Sequence, residues 1–458
     1  MDRVDVATKR SALLVATIGS FLFPLVGSSV NIALPVIGVE FSMDAVLLSW
    51  IATSFLLAAA MFLVPFGRLG DIYGRKKIFT IGIIFYTIAS LFSAISVTST
   101  QLLVSRVLHG ISSAMIFGTG VAILTSVFPP EERGRALGIN VAAVYLGLSI
   151  GPFLGGFLVQ HLGWRSIFYA NIPPGLFILI LVFWKLKGEW AEAKGETFDW
   201  KGSLILSATL LFLMYGLSLL PDFRGAWLVL LSLLGFLLFV FQESRVAHPV
   251  ININLFRMNR VFAFSNLAAL ISYAATFAVA FLLSLYLQYI KAMSPQSAGT
   301  ILVAQPIMMT IFSPIAGRLS DKIEPRIVAS LGMGLTVVGL ALLIPLGAAT
   351  KGAYIIVSLM VLGVGFGLFS SPNTNAVMSS VERKYYGVAS GALGTMRLTG
   401  QMLSMGIVLL IFAVFIGRVE ITPEHFPAFI KCVKIAFSIF SVLCLLGVFA
   451  SLARGKLR

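Results

Sequence analysis

Acidic side chains are scarce in this sequence, and its long apolar runs hold none in their interiors. The eighteen Asp and Glu stand at run ends or in the segments between. A protein that holds a proton or a cation on a membrane-buried carboxylate needs such a residue, and none is offered here. Charge of either sign is thin, at 11% of 458 residues, against about 25% in an ordinary soluble domain. A chain this poor in charge and 58% hydrophobic cannot cover itself with a wet surface, so its solvent is largely lipid. Cysteine is down to Cys432 and Cys444, both in or beside one apolar run, which reads as two free thiols packed in a helix. The four histidines, His109, His161, His248 and His425, are dispersed. No zinc-like set and no nucleophile–base cluster forms, so no metal, no cofactor and no enzymatic activity is expected.

What the sequence does have is length of apolar run. Backbone groups in lipid must pair internally, which leaves helices or closed barrels. Runs of ~20 residues, not alternating ~10-residue segments, select helices. About fourteen runs are long enough to span. Twelve form a main body at 12–37, 46–66, 78–97, 101–128, 135–160, 166–186, 261–289, 296–316, 327–346, 353–372, 389–416 and 433–453. Two more, 202–220 and 226–243, lie between its halves. The first run is too long for a signal-peptide core and reads as a retained span.

Orientation follows from Lys and Arg. With the N-terminus in the cytoplasm, inside segments hold twenty-four of the 33, including Arg3, Arg383, Lys384, Lys456 and Arg458; outside ends hold seven. Both termini are therefore expected in the cytoplasm, in a multi-pass protein of the cell (inner) membrane. The net charge of +15 is cytoplasmic-face charge spread over short loops, which argues against nucleic-acid binding.

Gly67-Arg68-Leu69-Gly70-Asp71 follows the second run and Gly317-Arg318-Leu319-Ser320-Asp321 follows the eighth of the main body. Recurrence at equivalent places divides the chain into a six-helix half (1–186), a linker with two extra spans (187–260) and a second six-helix half (261–458). Two parallel-repeat halves fit a rocking transporter with a site between them.

The stretch Gly67 to Lys77 resembles the loop signature between helices 2 and 3 of the major facilitator superfamily. Ser105-Arg106-Val107-Leu108-His109-Gly110 resembles that family's helix 4 motif, and Gly147 to Gly156 its exporter-associated helix 5 motif. Gly163-Trp164-Arg165, Asn171-Ile172-Pro173-Pro174-Gly175 and Tyr286-Leu287-Gln288 resemble the fourteen-helix drug:proton antiporter branch. The resemblance implies a major-facilitator-like, all-α polytopic fold, and multidrug efflux by alternating access. The partners it implies are a small-molecule substrate, the lipid bilayer and, with coupling left open, protons, in a monomer.

Candidate residues follow. Gly67, Gly70 and Gly74 permit close backbone approach around Arg68, Asp71 and Arg75. By resemblance Asp71 braces the cytoplasmic ends of the halves, with Asp321 a weaker counterpart. Gly147, Gly151, Gly155 and Gly156 form a small-residue stripe for helix contact, with Pro152 inside it. By resemblance that contact seals the halves. Arg106 is an intramembrane cation and His109 stands one turn away; resemblance gives Arg106 the first helix, near Asn31, as its neighbour. Asn140, Tyr145, Asn266, Tyr273, Gln288, Gln305 and Arg397, with Asn31, are polar groups that either face a central cavity or join helices. Drug:proton antiporters of this branch carry an acid in the first helix where Val26 stands here. The expected function is export of small amphipathic organic molecules; the alternative is a facilitator of a neutral or anionic metabolite without fixed proton coupling.

Overall fold

Runs of eighteen or more apolar residues satisfy their own backbone only as helices, and the described residues contain fourteen helices long and apolar enough to span. A computed structural model describes residues 6–246, 249–251, 253–382 and 386–455, and no strand occurs among them. The chain is an all-α polytopic membrane protein.

The spans are α1 (Ala7–Glu40), α2 (Ala45–Tyr73), α3 (Arg75–Ala94), α4 (Ser99–Val127), α5 (Arg135–Leu162), α6 (Arg165–Trp184), α7 (Trp200–Leu219), α8 (Phe223–Glu243), α9 (Arg260–Ile290), α10 (Pro295–Ser320), α11 (Pro325–Leu342), α12 (Gly352–Ser379), α13 (Val388–Phe415) and α14 (Pro423–Ala453). Fourteen passes bring the start of α1 and the end of α14 to one face, the terminus face; the other is the distal face. Of the cations counted for orientation, Arg3, Arg383, Lys384, Lys456 and Arg458 lie outside the described residues.

Acids cap three of the spans. Asp44 accepts from Leu47 N at 2.7 Å to start α2, Asp199 from Gly202 N at 2.9 Å to start α7, and Asp222 from Arg224 N at 2.9 Å to start α8. Each satisfies an orphan donor of the first turn and matches the helix dipole.

Three expectations change. The Gly67–Asp71 and Gly317–Asp321 stretches are helical, not loop: α2 runs on to Tyr73, and the second helical segment of α10 runs to Lys322. Nothing in either stretch stops a helix until Gly74, whose φ of +116° a side chain rarely adopts. Secondly, the sixth run is two segments, Arg165–Tyr169 and Ile172–Trp184, because Pro173 and Pro174 suit a first turn and not an interior. Thirdly, α14 begins about ten residues before position 433, with helix from Phe426.

Within the first half α1 packs on α5, and α2 and α3 pack on α4; within the second, α11 packs on α12 and α14, and α9 on α13. The halves meet through α2 against α13 and α5 against α10, with α1 touching α9. The inserted α7 packs on α8 and also on α2 and α13.

Candidate functional site

The α2–α3 junction gathers the densest charge. Gly67 crosses Gly118 of α4 closely, and a methyl at Gly70 would lie 2.7 Å from Thr119 Cγ2. These contacts let α2 and α4 touch at the backbone down to the terminus face. Arg75 starts α3 and is nearly buried. Its Nε donates to Asp71 Oδ1 at 2.8 Å and its Nη1 to Glu192 Oε1 at 2.8 Å. Arg68 pairs with Glu196. Glu189 receives Lys76 N at 2.8 Å and Lys77 N at 3.2 Å, capping α3 from outside the helix. Two backbone bonds lay the segment down: Arg75 N to Trp190 O at 2.9 Å and Ala193 N to Asp71 O at 3.0 Å. Residues 189–196 thus form an acidic arm across the motif.

Sequence reasoning missed Glu189, Glu192 and Glu196. Their spacing of three and four was a signal, but nothing local said which basic cluster they meet. Asp321 lies in the helix ending at Lys322, and its side chain is outside those described.

The α5 glycine stripe divides between two partners. A methyl at Gly147 would lie 2.6 Å from Phe21 O, and one at Gly155 would lie 2.7 Å from Ser29 Cα, both on α1. Gly151 also meets α1, where Ser29 Oγ donates to Gly151 O at 2.8 Å. Gly156 faces the other half: a methyl there would lie 2.6 Å from Pro295 O of α10. Gly299 of α10 in turn lies against the Pro152 carbonyl. So Pro152 and Gly156 touch across the halves, while Gly147, Gly151 and Gly155 join helices of one half.

Hydrogen bonds close the distal face around this contact. Ser284 Oγ donates to Asn31 O at 2.6 Å, and Gln288 Nε2 to Ile32 O at 2.9 Å. Gln296 N donates to Gln160 Oε1 at 3.3 Å, and Ala45 N to Val419 O at 3.0 Å.

Arg106 is 1% exposed and turns to α2, where its Nε donates to Ile51 O at 3.2 Å and its guanidinium stands 4.3 Å from the Phe55 ring centre. Its partner is therefore α2, not Asn31 of α1, because α4 lies flat on α2 through Gly110. His109 faces α3 in the same half, with Nε2 2.9 Å from Ser90 Oγ and the ring edge-on to Tyr86. Asn140 donates to Ala16 O at 3.1 Å and ties α5 to α1. Asn266 donates to Phe262 O of its own helix. Gln305 is half-buried on α10, where Gly363 of α12 crosses its carbonyl. Asn373 is drawn away from the interface into a knot with Arg454, which donates to Asn373 Oδ1 at 3.0 Å and Ser265 Oγ at 3.3 Å.

At mid-depth the structure does bring predicted residues together. Tyr145 of α5 hydrogen-bonds Ser370 of α12 across the halves at 2.8 Å. Phe366, Ser370 and Thr374 follow at every fourth position along α12, so they share a face. Arg397 of α13 donates from Nη2 to Thr374 Oγ1 at 2.7 Å and stands 5.7 Å from the Tyr273 ring centre. Tyr273 of α9 meets Phe366 edge-on at 5.2 Å. Ser370, Thr374 and Phe366 add to the sequence list. Their four-residue spacing was visible, but a buried helix is apolar all round, so periodicity could not say which face the cleft takes.

The family model of the Major Facilitator Superfamily matches residues 16–405 and 265–457. The riboflavin transporter RibZ of Clostridioides difficile (strain 630) is 31% identical over 440 residues, covering 95% of each chain. The multidrug resistance protein Stp of Mycobacterium tuberculosis (strain CDC 1551 / Oshkosh) is 28% identical over 423 residues, covering 91% of this chain and 78% of that one. The crystal structure of a bacterial homolog to the human lysosomal transporter Spinster, inward-facing and unoccupied, superposes with a TM-score of 0.70 at 15% identity, covering 98% of this chain and 97% of that one. Packing of α2 on α13 and of α5 on α10, with the family match over nearly the whole length, makes this chain a membrane transporter of the Major Facilitator Superfamily.

Proposed function

We propose that the protein exports small amphipathic organic molecules by alternating access, with the terminus face in the cytoplasm. The observation that carries this reading is the distal seam. There the halves touch backbone to backbone at Gly156 and Gly299, backed by a few neutral hydrogen bonds. Such a seam is held by close packing over a small area, so it can part and re-form as a unit. The Lys and Arg bias supports the orientation. The relatives named for riboflavin and for multidrug resistance support an organic cargo. Tyr145, Tyr273, Phe366 and Arg397 offer a mid-depth wall for an aromatic, partly polar molecule.

A carrier without fixed proton coupling is the second reading. Among the described residues no carboxylate lies in the middle of a span; Glu40 pairs with Arg165 at 2.6 Å at the distal face, Asp44 caps α2, and Asp71 pairs with Arg75 at the foot of α2. Purified protein in liposomes, with and without an imposed pH gradient, tests both readings. Export requires net movement of an organic dye from the terminus side. Movement of no dye would refute the reading, and gradient-driven accumulation would refute the uncoupled one.

A further inference from the structure

Two arginines of the second half, Arg454 buried and Arg397 half-buried, are treated differently. Arg454 is satisfied on several sides, by Ser451, Ser265 and Asn373, and it knots α9, α12 and α14 together at the terminus face. Arg397 has neutral partners only. One nitrogen reaches Thr374, the flank stands over Tyr273, and Nε is buried with no acceptor. No ion pair reaches it among the described residues. One turn on, Gln401 Oε1 is also buried and unpartnered. A half-buried guanidinium whose Nε has lost water and gained no acceptor is under-satisfied, and an anion of matching geometry would complete it through charge-assisted hydrogen bonds.

The surroundings say what else such a ligand carries. Tyr273 stands beside the cation and meets Phe366 edge to face, and the pair fits against a flat ring. The Tyr145 hydroxyl closes the far side from the opposite half. A permanent cation placed here would meet like charge and find no carboxylate.

We infer that Arg397 is the specificity-determining residue of the transport site, and that the cargo it selects is a flat aromatic compound bearing an anionic oxygen group such as a carboxylate. The inference rests on the transporter reading of the same site. The anionic group binds the free guanidinium edge, the ring lies against Tyr273 and Phe366, and Gln401 accepts from a neighbouring N–H or O–H.

The test uses three matched fluorescent coumarins: a carboxylate, its primary amide and a trimethylammonium analogue. Equilibrium binding is measured on purified protein, and movement is measured in liposomes. Wild type is expected to bind the carboxylate at least about tenfold more tightly than the ammonium compound. Arg397→Gln should weaken carboxylate binding roughly 10- to 100-fold and leave the amide within about threefold. Arg397→Lys should restore part of the preference, because charge returns without the planar fork. Amide binding by Arg397→Gln at the wild-type level reports a folded variant. Equal binding of anion and cation by wild type, absence of carboxylate binding, or a preference unchanged in Arg397→Gln would overturn the inference. Selective, Arg397-dependent binding without movement of any compound would instead overturn the transporter reading and leave the site assignment standing.

Discussion

Replacing Gly156 with alanine adds one methyl group at a place where the two halves touch. That methyl would lie 2.6 Å from Pro295 O and 2.9 Å from Gln296 Cα, both backbone atoms of the other half. Ordinary contact begins at 3.4 Å, so the backbones must part by roughly 0.8 Å, and overpacking of this kind costs about 1–3 kcal/mol. The cost falls only on the state in which the distal seam is shut. It therefore shifts the balance towards the seam-open state by about 5- to 150-fold. Two other glycines isolate the effect. Gly155 carries a similar clash, 2.7 Å from Ser29 Cα, but within one half, so Gly155→Ala lowers stability in both states alike. Gly27 faces open space on α1, and Gly27→Ala is expected to be neutral. Spin labels at Leu162 and Lys291, on either side of the seam, read the outcome as a distance distribution in liposomes. The expected result is a longer distance for Gly156→Ala alone. An unchanged distribution, or an equal shift in Gly155→Ala, would refute the reasoning.

Other expectations follow from the terminus face. Asp71→Asn removes the charge that holds Arg75, and transport at normal expression should fall severely; a wild-type rate would return Asp71 to a solvated role. Glu192→Gln with Glu196→Gln removes two ion pairs worth about 0.2–1 kcal/mol each at an exposed site, so trypsin should cut at Lys194 roughly 2- to 30-fold faster. A cutting rate equal to wild type would show that backbone bonds alone hold the arm. Cysteine placed at 194 should resist an impermeant maleimide added to intact cells, and rapid labelling would reverse the proposed orientation. His109→Ala deletes the bond to Ser90 and should cost about 1–3 kcal/mol of stability without altering the pH dependence of transport. A changed pH profile would place His109 in the transport path.

Spans were legible in the sequence because each is a local property: apolar length and a charged break. The site was legible only in part, and Arg106 shows why. Its depth in α4 could be counted along the chain, but which neighbour it turned to depended on the crossing of α4 over α2 at Gly110. Gly155 and Gly156 make the same point at one residue's remove. A step of one residue turns about 100° around a helix, so the first meets its own half and the second meets the other. The arm was invisible for a different reason. Arg75 and Glu192 are 117 positions apart, and no periodicity carries a pairing at that range. Nothing in the run around Asn373 says which way its amide turns, and only the position of Arg454 shows where it goes.

The inserted α7 has a consequence for the lipid around the protein. It lies against α2 of one half and α13 of the other, so it stands across one side of the cleft between them. A hydrophobic molecule dissolved in the bilayer is screened from the cleft on that side, while among the described residues neither inserted helix packs on α5 or α10. Entry of a lipid-dissolved molecule straight from the membrane leaflet is then one-sided. If the halves rock, α7 must also slip against at least one of them. Its contacts suit slipping: Met214 lies on Gly406, and Met61 and Met402 fill the same apolar cluster. Unbranched thioether chains change rotamer readily and repack without leaving voids, so the helix that walls off the cleft can do so without locking it.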